Sequence, residues 1–324
     1  KTDPRLNQHK LISMLFEAVT LCAAALGLSF YFKFWQGGVC KSEKRLDGKR
    51  IIVTGTTSGI GYETALDLAK RGATVIMACR NEKLALECRS RMLECSPEVK
   101  PQQLVVKTLD LASFQSIRAF CDAIKAEYDA IDALVCNAGI SSVNERDAKT
   151  RDGLPMVMGT NHVGHFLLVK LLLPLVLRGK SASNKGRVIV VSSKMHYFAL
   201  FNPKNMFKGL LGTEYSNSKL ANVAFCRELA KRNRTEPLIT ASLHPGLIAT
   251  GITRFDTINR TLVHHIVYPF TKSAFAGSQT TLHCLLDDDI VSGAYYSDCA
   301  LTKESSSVTE HFCSTLWDET DKLL

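Results

Sequence analysis

Two side chains four residues apart suggest the chemistry of this chain. Tyr215 and Lys219 stand in the run Glu214-Tyr215-Ser216-Asn217-Ser218-Lys219-Leu220-Ala221-Asn222, and Leu220, Val223, Ala224, Leu229 and Ala230 recur at helical spacing. On a helix, both side chains leave the same face. An ammonium held near a phenol favours the phenolate and lowers its pKa from about 10 towards neutrality. Such a tyrosine can exchange a proton with an alcohol or a ketone. Alone, the pair reads more readily as exposed helix neighbours, so its meaning depends on what the chain places beside it.

The apolar run Arg50-Ile51-Ile52-Val53 leads into Thr54-Gly55-Thr56-Thr57-Ser58-Gly59-Ile60-Gly61, and helix-like sequence follows through Leu68-Ala69. A strand, a glycine-rich turn and a helix N-terminus make a site for a pyrophosphate, because glycines let the backbone approach and free N–H groups point at the anion. The spacing is Gly-x-x-x-Gly-x-Gly, not the commoner Gly-x-Gly-x-x-Gly. A second strand, Ala73 to Cys79, ends in Arg80-Asn81, where an acid would bind ribose hydroxyls. No acid is present, and a guanidinium suits a 2′-phosphate, which favours NADP over NAD. The rival reading of Arg80 is a surface residue at a strand end.

These motifs need elements to hold them. A third strand, Leu104 to Thr108, leads to Asp110-Leu111, and a fourth, Ala133 to Cys136, leads to Asn137-Ala138-Gly139. Residues Phe114 to Tyr128 between them have helical periodicity. Strands Arg187–Ser192 and Ile239–His244 follow. Strands alternating with helices predict a parallel, doubly wound sheet, with ligands at its strand C-termini.

Taken together, Thr54-Gly55 with Gly59 and Gly61, Asn137-Ala138-Gly139, Asn161, Ser192-Ser193, Tyr215 with Lys219, and Pro245-Gly246 with Thr250 resemble the short-chain dehydrogenase/reductase family, over residues 47 to about 300. The chain looks most like its retinol dehydrogenase branch, the microsomal retinal reductases. The residues that carry that likeness include Ala78-Cys79-Arg80-Asn81, Thr160-Asn161-His162-Val163-Gly164-His165-Phe166, Gln279-Thr280-Thr281-Leu282-His283-Cys284 and Tyr296-Ser297-Asp298-Cys299. The resemblance implies a catalytic set of Asn161, Ser193, Tyr215 and Lys219. Tyr215 would pass a proton to the carbonyl oxygen, Lys219 would tune Tyr215 and hold the nicotinamide ribose, and Ser193 would bond the substrate oxygen. Asn161 would hold a water that relays protons from Lys219. NADP (NADPH) would be bound by Gly55, Thr57, Ser58, Gly59, Ile60, Gly61, Arg80, Asn81, Asp110, Leu111, Asn137, Ala138, Gly139, Tyr215, Lys219, Pro245, Gly246 and Thr250.

The 324 residues are 46% hydrophobic and 22% charged, an ordinary globular composition. Eleven cysteines are scattered without Cys-x-x-Cys pairs, which reads as reduced thiols in a cytosol-facing domain. His162, His165, His196, His244 and His283 show no metal-ligand spacing and read as structural, so no metal is expected. Residues 1–50 hold nine Lys/Arg against four acids, more than half of the net charge of +9. That charge brackets the apolar run Leu11 to Phe32, 22 residues with only Glu17 charged, long enough to cross about 30 Å of hydrocarbon. An anionic lipid surface fits better than a nucleic acid. A cleaved signal peptide fits poorly, because bulky residues follow the run. The positive-inside rule puts the C-terminal side in the cytosol, at the endoplasmic reticulum or another intracellular membrane.

The expectation is therefore an α/β protein with an N-terminal transmembrane helix. Its parallel seven-stranded Rossmann-like sheet would have the order 3-2-1-4-5-6-7. Residues 1–46 would be anchor and linker, and 47–324 one catalytic domain ending in a polar C-terminal helix over Ser307–Leu324 with no evident role. The insert between Ser193 and Tyr215 is rich in Phe, Met and Leu, as is Ile252 to Phe275, and both suit the wall of a pocket for a lipophilic substrate. Retinal comes first by resemblance, ahead of steroids and long-chain or polyprenyl aldehydes. A homodimer is open, and a non-catalytic nucleotide-binding scaffold is the competing class.

Overall fold

The computed structural model describes residues 16–17, 19–28, 37–141, 148–180, 184–207, 213–248 and 271–324. Thr250, part of Leu11–Phe32 and most of the wall expected over Ile252–Phe275 lie outside the described residues.

β1 (Arg50–Thr54), β2 (Thr74–Cys79), β3 (Leu104–Thr108), β4 (Ala133–Cys136), β5 (Gly186–Val191), β6 (Leu238–His244) and β7 (Ala294–Ser297) form a parallel sheet in the order 3-2-1-4-5-6-7. An eighth strand, β8 (Ala300–Thr302), was not expected; it pairs antiparallel with β7 through the tight turn at Asp298 and Cys299, both at positive φ. The central strands are buried on both faces and read as apolar runs for that reason.

Alternation along each strand divides the core in two. Ile51, Val53, Val75 and Met77 pack with α1 (Gly59–Lys70), with α2 (Glu82–Cys95), which the sequence reading left out, and with α6 (Ala274–Leu286). Ile52, Ile76, Leu134 and Val188 pack on the opposite face with α3 (Phe114–Glu127) and α4 (Gly164–Arg178). α5 (Glu214–Arg232) packs with α7 (Glu310–Asp321) through Leu220, Val223, Cys313 and Leu316.

The stretch Met156–Arg178 is long and apolar enough to span a bilayer, but most of it is buried in this core. The described part of the N-terminal apolar run is a helix over Val19–Leu28, with Leu21, Leu26 and Leu28 exposed. The chain from residue 37 lies along the folded body: the Cys40 amide donates to Gln279, and Arg71 Nη1 donates to the Ser42 carbonyl at 2.7 Å.

α7 is not the idle polar tail expected. It buries Cys313, Leu316 and Thr320, and Trp317 stacks on Phe225 with centroids 5.7 Å apart. Arg187 of β5 is fully buried and donates to the carbonyls of Cys284 and Asp287, each at 2.6 Å, satisfying the C-terminus of α6. Truncating it strands those acceptors, so Arg187→Met is expected to lower unfolding free energy by about 2–4 kcal/mol, read as a lower urea midpoint at unchanged m-value.

Candidate active site

β1 has β2 on one side and β4 on the other, so the chain reverses direction in the sheet at β1/β4, and the crevice above their C-terminal ends is where such folds bind ligands. The glycine-rich turn leaves β1 into this crevice. Gly55 has φ +74°, and a Cβ on Gly61 would come within 2.1 Å of the Gly55 oxygen and 2.5 Å of Asn137 Nδ2. The turn therefore closes only on hydrogen at position 61. Asn137 spans the turn, donating Nδ2 to the carbonyls of Thr54 at 2.8 Å and Gly55 at 3.2 Å.

Ser58, Thr57 and Gly59 lead into α1, and Ser58 makes no side-chain cap. Asn81, Ser113, Ser273 and Thr309 each cap their own helix by accepting a backbone amide. The first turn of α1, with Gly59, Ile60 and Gly61, is left to an outside anion. These observations fit a dinucleotide pyrophosphate.

Arg80 and Asn81 follow β2. Arg80 is exposed and has no ion-pair partner among the described residues, whereas the Asn81 side chain is used on the Leu84 amide at 3.0 Å. Asp110 accepts the Ala112 amide at 3.0 Å, and the buried Leu111 turns its carbonyl towards Gly164, where a Cβ would sit 2.3 Å from it. Pro245 and Gly246 leave β6; Gly246 has φ +103° against the Lys272 stem, and the Lys272 amide donates to Leu247 at 2.7 Å.

Lys219 is 3% exposed, with its Nζ 3.1 Å from the Val191 carbonyl and 5.5 Å from the Tyr215 ring centroid. Burial pushes its pKa down to about 8. The Ser192 hydroxyl is used on the Lys219 carbonyl at 2.7 Å, while Ser193 is a side-chain hydrogen-bond partner of Tyr215. Ser193 lies just past β5, at the start of a short 3₁₀ turn, and its hydroxyl also accepts the Met195 amide at 3.2 Å. Asn161 lies where the helix ahead of α4 widens, over Gly159–Val163, with Gly164 bonded back to Gly159. Its side chain takes the Ile140 amide at 2.9 Å and donates to the Ile140 carbonyl at 2.8 Å and the Ser218 hydroxyl at 3.0 Å. Gly139 fits between the two halves of the site: a Cβ there would stand 3.3 Å from Asn161 Oδ1 and 3.4 Å from Lys219 Nζ.

The family described as short chain dehydrogenase matches residues 49–260. The chain belongs to that family. It is 38% identical to retinol dehydrogenase 12 of Homo sapiens over 301 residues, 90% of this chain and 91% of that protein. It is 38% identical to retinol dehydrogenase 11 of Mus musculus, with the same shares covered, and 36% identical to retinol dehydrogenase 14 of Mus musculus, covering 84% and 85%. Among solved structures, an uncharacterised protein of Mycobacterium paratuberculosis superposes with TM-score 0.70 at 28% identity, covering 89% of this chain and 97% of that one. The fold is also that of RhlG of Pseudomonas aeruginosa, solved as an NADP active-site complex, at 24% identity and TM-score 0.61, covering 78% and 95%.

As a short-chain dehydrogenase the protein is an oxidoreductase using a nicotinamide dinucleotide. The fold brings the expected residues Asn137, Ala138, Gly139, Asn161, Ser193, Tyr215 and Lys219 together from four separate stretches of the chain. Tyr215 departs from the expected lowering: burial pushes its phenol up, and the Ser193 bond pulls it only partly back. The reason is placement, since the Lys219 ammonium lies over the ring and is itself dehydrated. The roles of Ser218, Thr54 and the Val191 carbonyl were not read from the sequence; the Ser that begins Ser218-Lys219 was the available signal.

His162, His165, His196, His244 and His283 each have a side-chain partner within the protein, and no metal-binding cluster occurs among the described residues.

Because its pKa is depressed, Lys219 penalises the folded state wherever it is charged. The penalty is full below about pH 8 and fades as pH rises towards the ordinary lysine value. Lys219→Met is therefore expected to inactivate the enzyme yet raise stability of the cofactor-free protein by about 2 kcal/mol at pH 7, the gain vanishing by about pH 10. Thermal melts across that range check it.

Proposed function

We propose that this short-chain dehydrogenase is a membrane-anchored, NADP-dependent enzyme that interconverts a lipophilic alcohol and its carbonyl compound, with retinol and retinal the first pair. The observation that carries the reading is the convergence of a half-buried phenol, a serine hydroxyl beside it and a buried ammonium over its ring, next to the crevice at the β1/β4 switch. The identity to proteins named retinol dehydrogenases supports the substrate. Exposed Phe198 and Leu200, just beyond Ser193, support an apolar one. Exposed Arg80, with no ion-pair partner among the described residues and no acid at the strand end, supports a 2′-phosphate. The exposed apolar helix Val19–Leu28 supports residues 1–46 as anchor and linker and 47–324 as the catalytic domain, facing the cytosol from the endoplasmic reticulum or another intracellular membrane.

The bound nicotinamide supplies the hydride in reduction and accepts it in oxidation. Ser193 donates to the carbonyl oxygen and stabilises the charge that develops on it. Tyr215 passes its proton to that oxygen, and recovers one along a path through Lys219 and the Asn161 carbonyl. Lys219, from the same helical face, keeps positive charge beside the phenol and reaches the ribose. By the resemblance, Pro245-Gly246 and Thr250 would hold the carboxamide end, while Gly55, Thr57, Ser58, Gly59, Ile60 and Gly61 would hold the pyrophosphate and Arg80, Asn81, Asp110 and Leu111 the adenosine end.

Full-length protein in lipid nanodiscs, offered NADPH or NADH with retinal, a long-chain aldehyde, a steroid ketone and small polar carbonyls, tests this reading. It is expected to consume NADPH with the lipids, whereas preference for the small polar carbonyls or for NADH sinks it. Tyr215→Phe is expected to lower kcat about 10²- to 10⁴-fold while NADPH binding, read by fluorescence, persists. Arg80→Ala is expected to raise KM for NADPH about tenfold and leave KM for NADH unchanged.

A further inference from the structure

His165 lies on the first turn of α4, between the nucleotide turn and the catalytic residues, and touches both. Its Nδ1 is 3.0 Å from the Asn161 carbonyl oxygen and its Nε2 is 3.0 Å from the Thr54 hydroxyl. A carbonyl oxygen can only accept, so Nδ1 carries the proton. Nε2 is then an acceptor, and the Thr54 hydroxyl donates to it; the Val135 carbonyl, 3.3 Å from that hydroxyl, is the longer alternative. The lone pairs of Thr54 Oγ1 take the amides of Asn137 and Ala138, both at 2.9 Å. The bonds thus run in one direction, from the amides of the Asn-Ala-Gly turn through Thr54 and the imidazole to the Asn161 carbonyl. The ring is 1% exposed, and burial, with Lys219 nearby adding to it, pushes its pKa down to about 4, so it is neutral near pH 7.

We infer that His165 is a positioning residue that sets the Asn161 carbonyl and the Asn137–Ala138 turn together, so that one imidazole aligns both the proton path and the cofactor seat. Its side chain reaches neither substrate nor cofactor in this role; it acts through Asn161 on one side and through Thr54 on the other. The inference rests on the role proposed above for Asn161. The widened helical segment explains why such a brace is needed. Where bonding runs five residues back, a carbonyl's direction is not fixed by the regular helix ladder. The Asn161 side chain is held independently by Ile140 and Ser218, so the imidazole governs the carbonyl, not the amide group.

Three variants separate the two arms. His165→Phe keeps a ring and loses both bonds, and is expected to lower kcat about 10- to 100-fold and raise the cofactor KM. His165→Asn keeps a donor at the Nδ1 position and cannot reach Thr54, so kcat recovers while the cofactor KM stays raised. His165→Gln places its amide oxygen near Thr54 and has no donor at the Nδ1 position, so the cofactor KM recovers while kcat stays low. A merely structural histidine would give no such split. Equal kcat and KM for the Asn and Gln variants, or a Phe variant with wild-type kinetics and only a lower melting temperature, overturns the inference. If the Phe variant does not fold, the Asn and Gln pair decides alone. An inactive wild-type protein would sink the functional reading instead; in that case cofactor Kd by fluorescence still decides, and equal values for the two variants overturn the inference.

Discussion

An ammonium group almost without water sits at the centre of this molecule, and much of the structure follows from keeping it there. Lys219 has one carbonyl and one aromatic face for company, and its depressed pKa records how poorly these replace hydration. The fold accepts that cost in placing the ammonium over the Tyr215 ring, the position from which it would act in the proposed chemistry. The hydroxyl of Ser192 ties the Lys219 backbone to β5, and Asn222 donates to the same Val191 carbonyl that Lys219 uses. The helix and the strand are thereby held in one register at the point where a shift would matter most.

The same constraint sets the small residues around it. Gly139 lies where a methyl group would press on both Asn161 and Lys219, and Gly61 lies where one would strike the Gly55 backbone. Gly164 lets α4 approach the Leu111 carbonyl. These are contacts between strand ends and helix starts, and they draw the glycine-rich turn, Asn161 and Lys219 into a space too narrow for ordinary side chains. The candidate catalytic residues are few, and the residues that bring them close are mostly glycines and buried hydroxyls.

Much of this was legible in the sequence for simple reasons. β1, β2, β4, β5 and β6 are largely apolar runs because both faces of the sheet are covered there, and the glycine spacing of residues 55–61 declares a phosphate turn. α2 was missed because only Ala85, Cys88 and Met92 of its 14 residues are buried, too thin a stripe among charges. β8 was missed because its three residues are largely exposed and pair only along the sheet's edge. The widened turn at Asn161 leaves no trace in periodicity. The direction of the Tyr215 shift could not be read either, since it depends on tertiary burial and on which side of the ring the ammonium occupies.

The C-terminal helix has one more consequence. His162, next to Asn161, is bonded to Thr320 at 3.0 Å, and Arg118 donates to the carbonyl of Leu324 at 3.1 Å. The segment bearing Asn161 is therefore braced from outside by α7, and any loosening of that helix would travel inward through the imidazole of His162 to its neighbour.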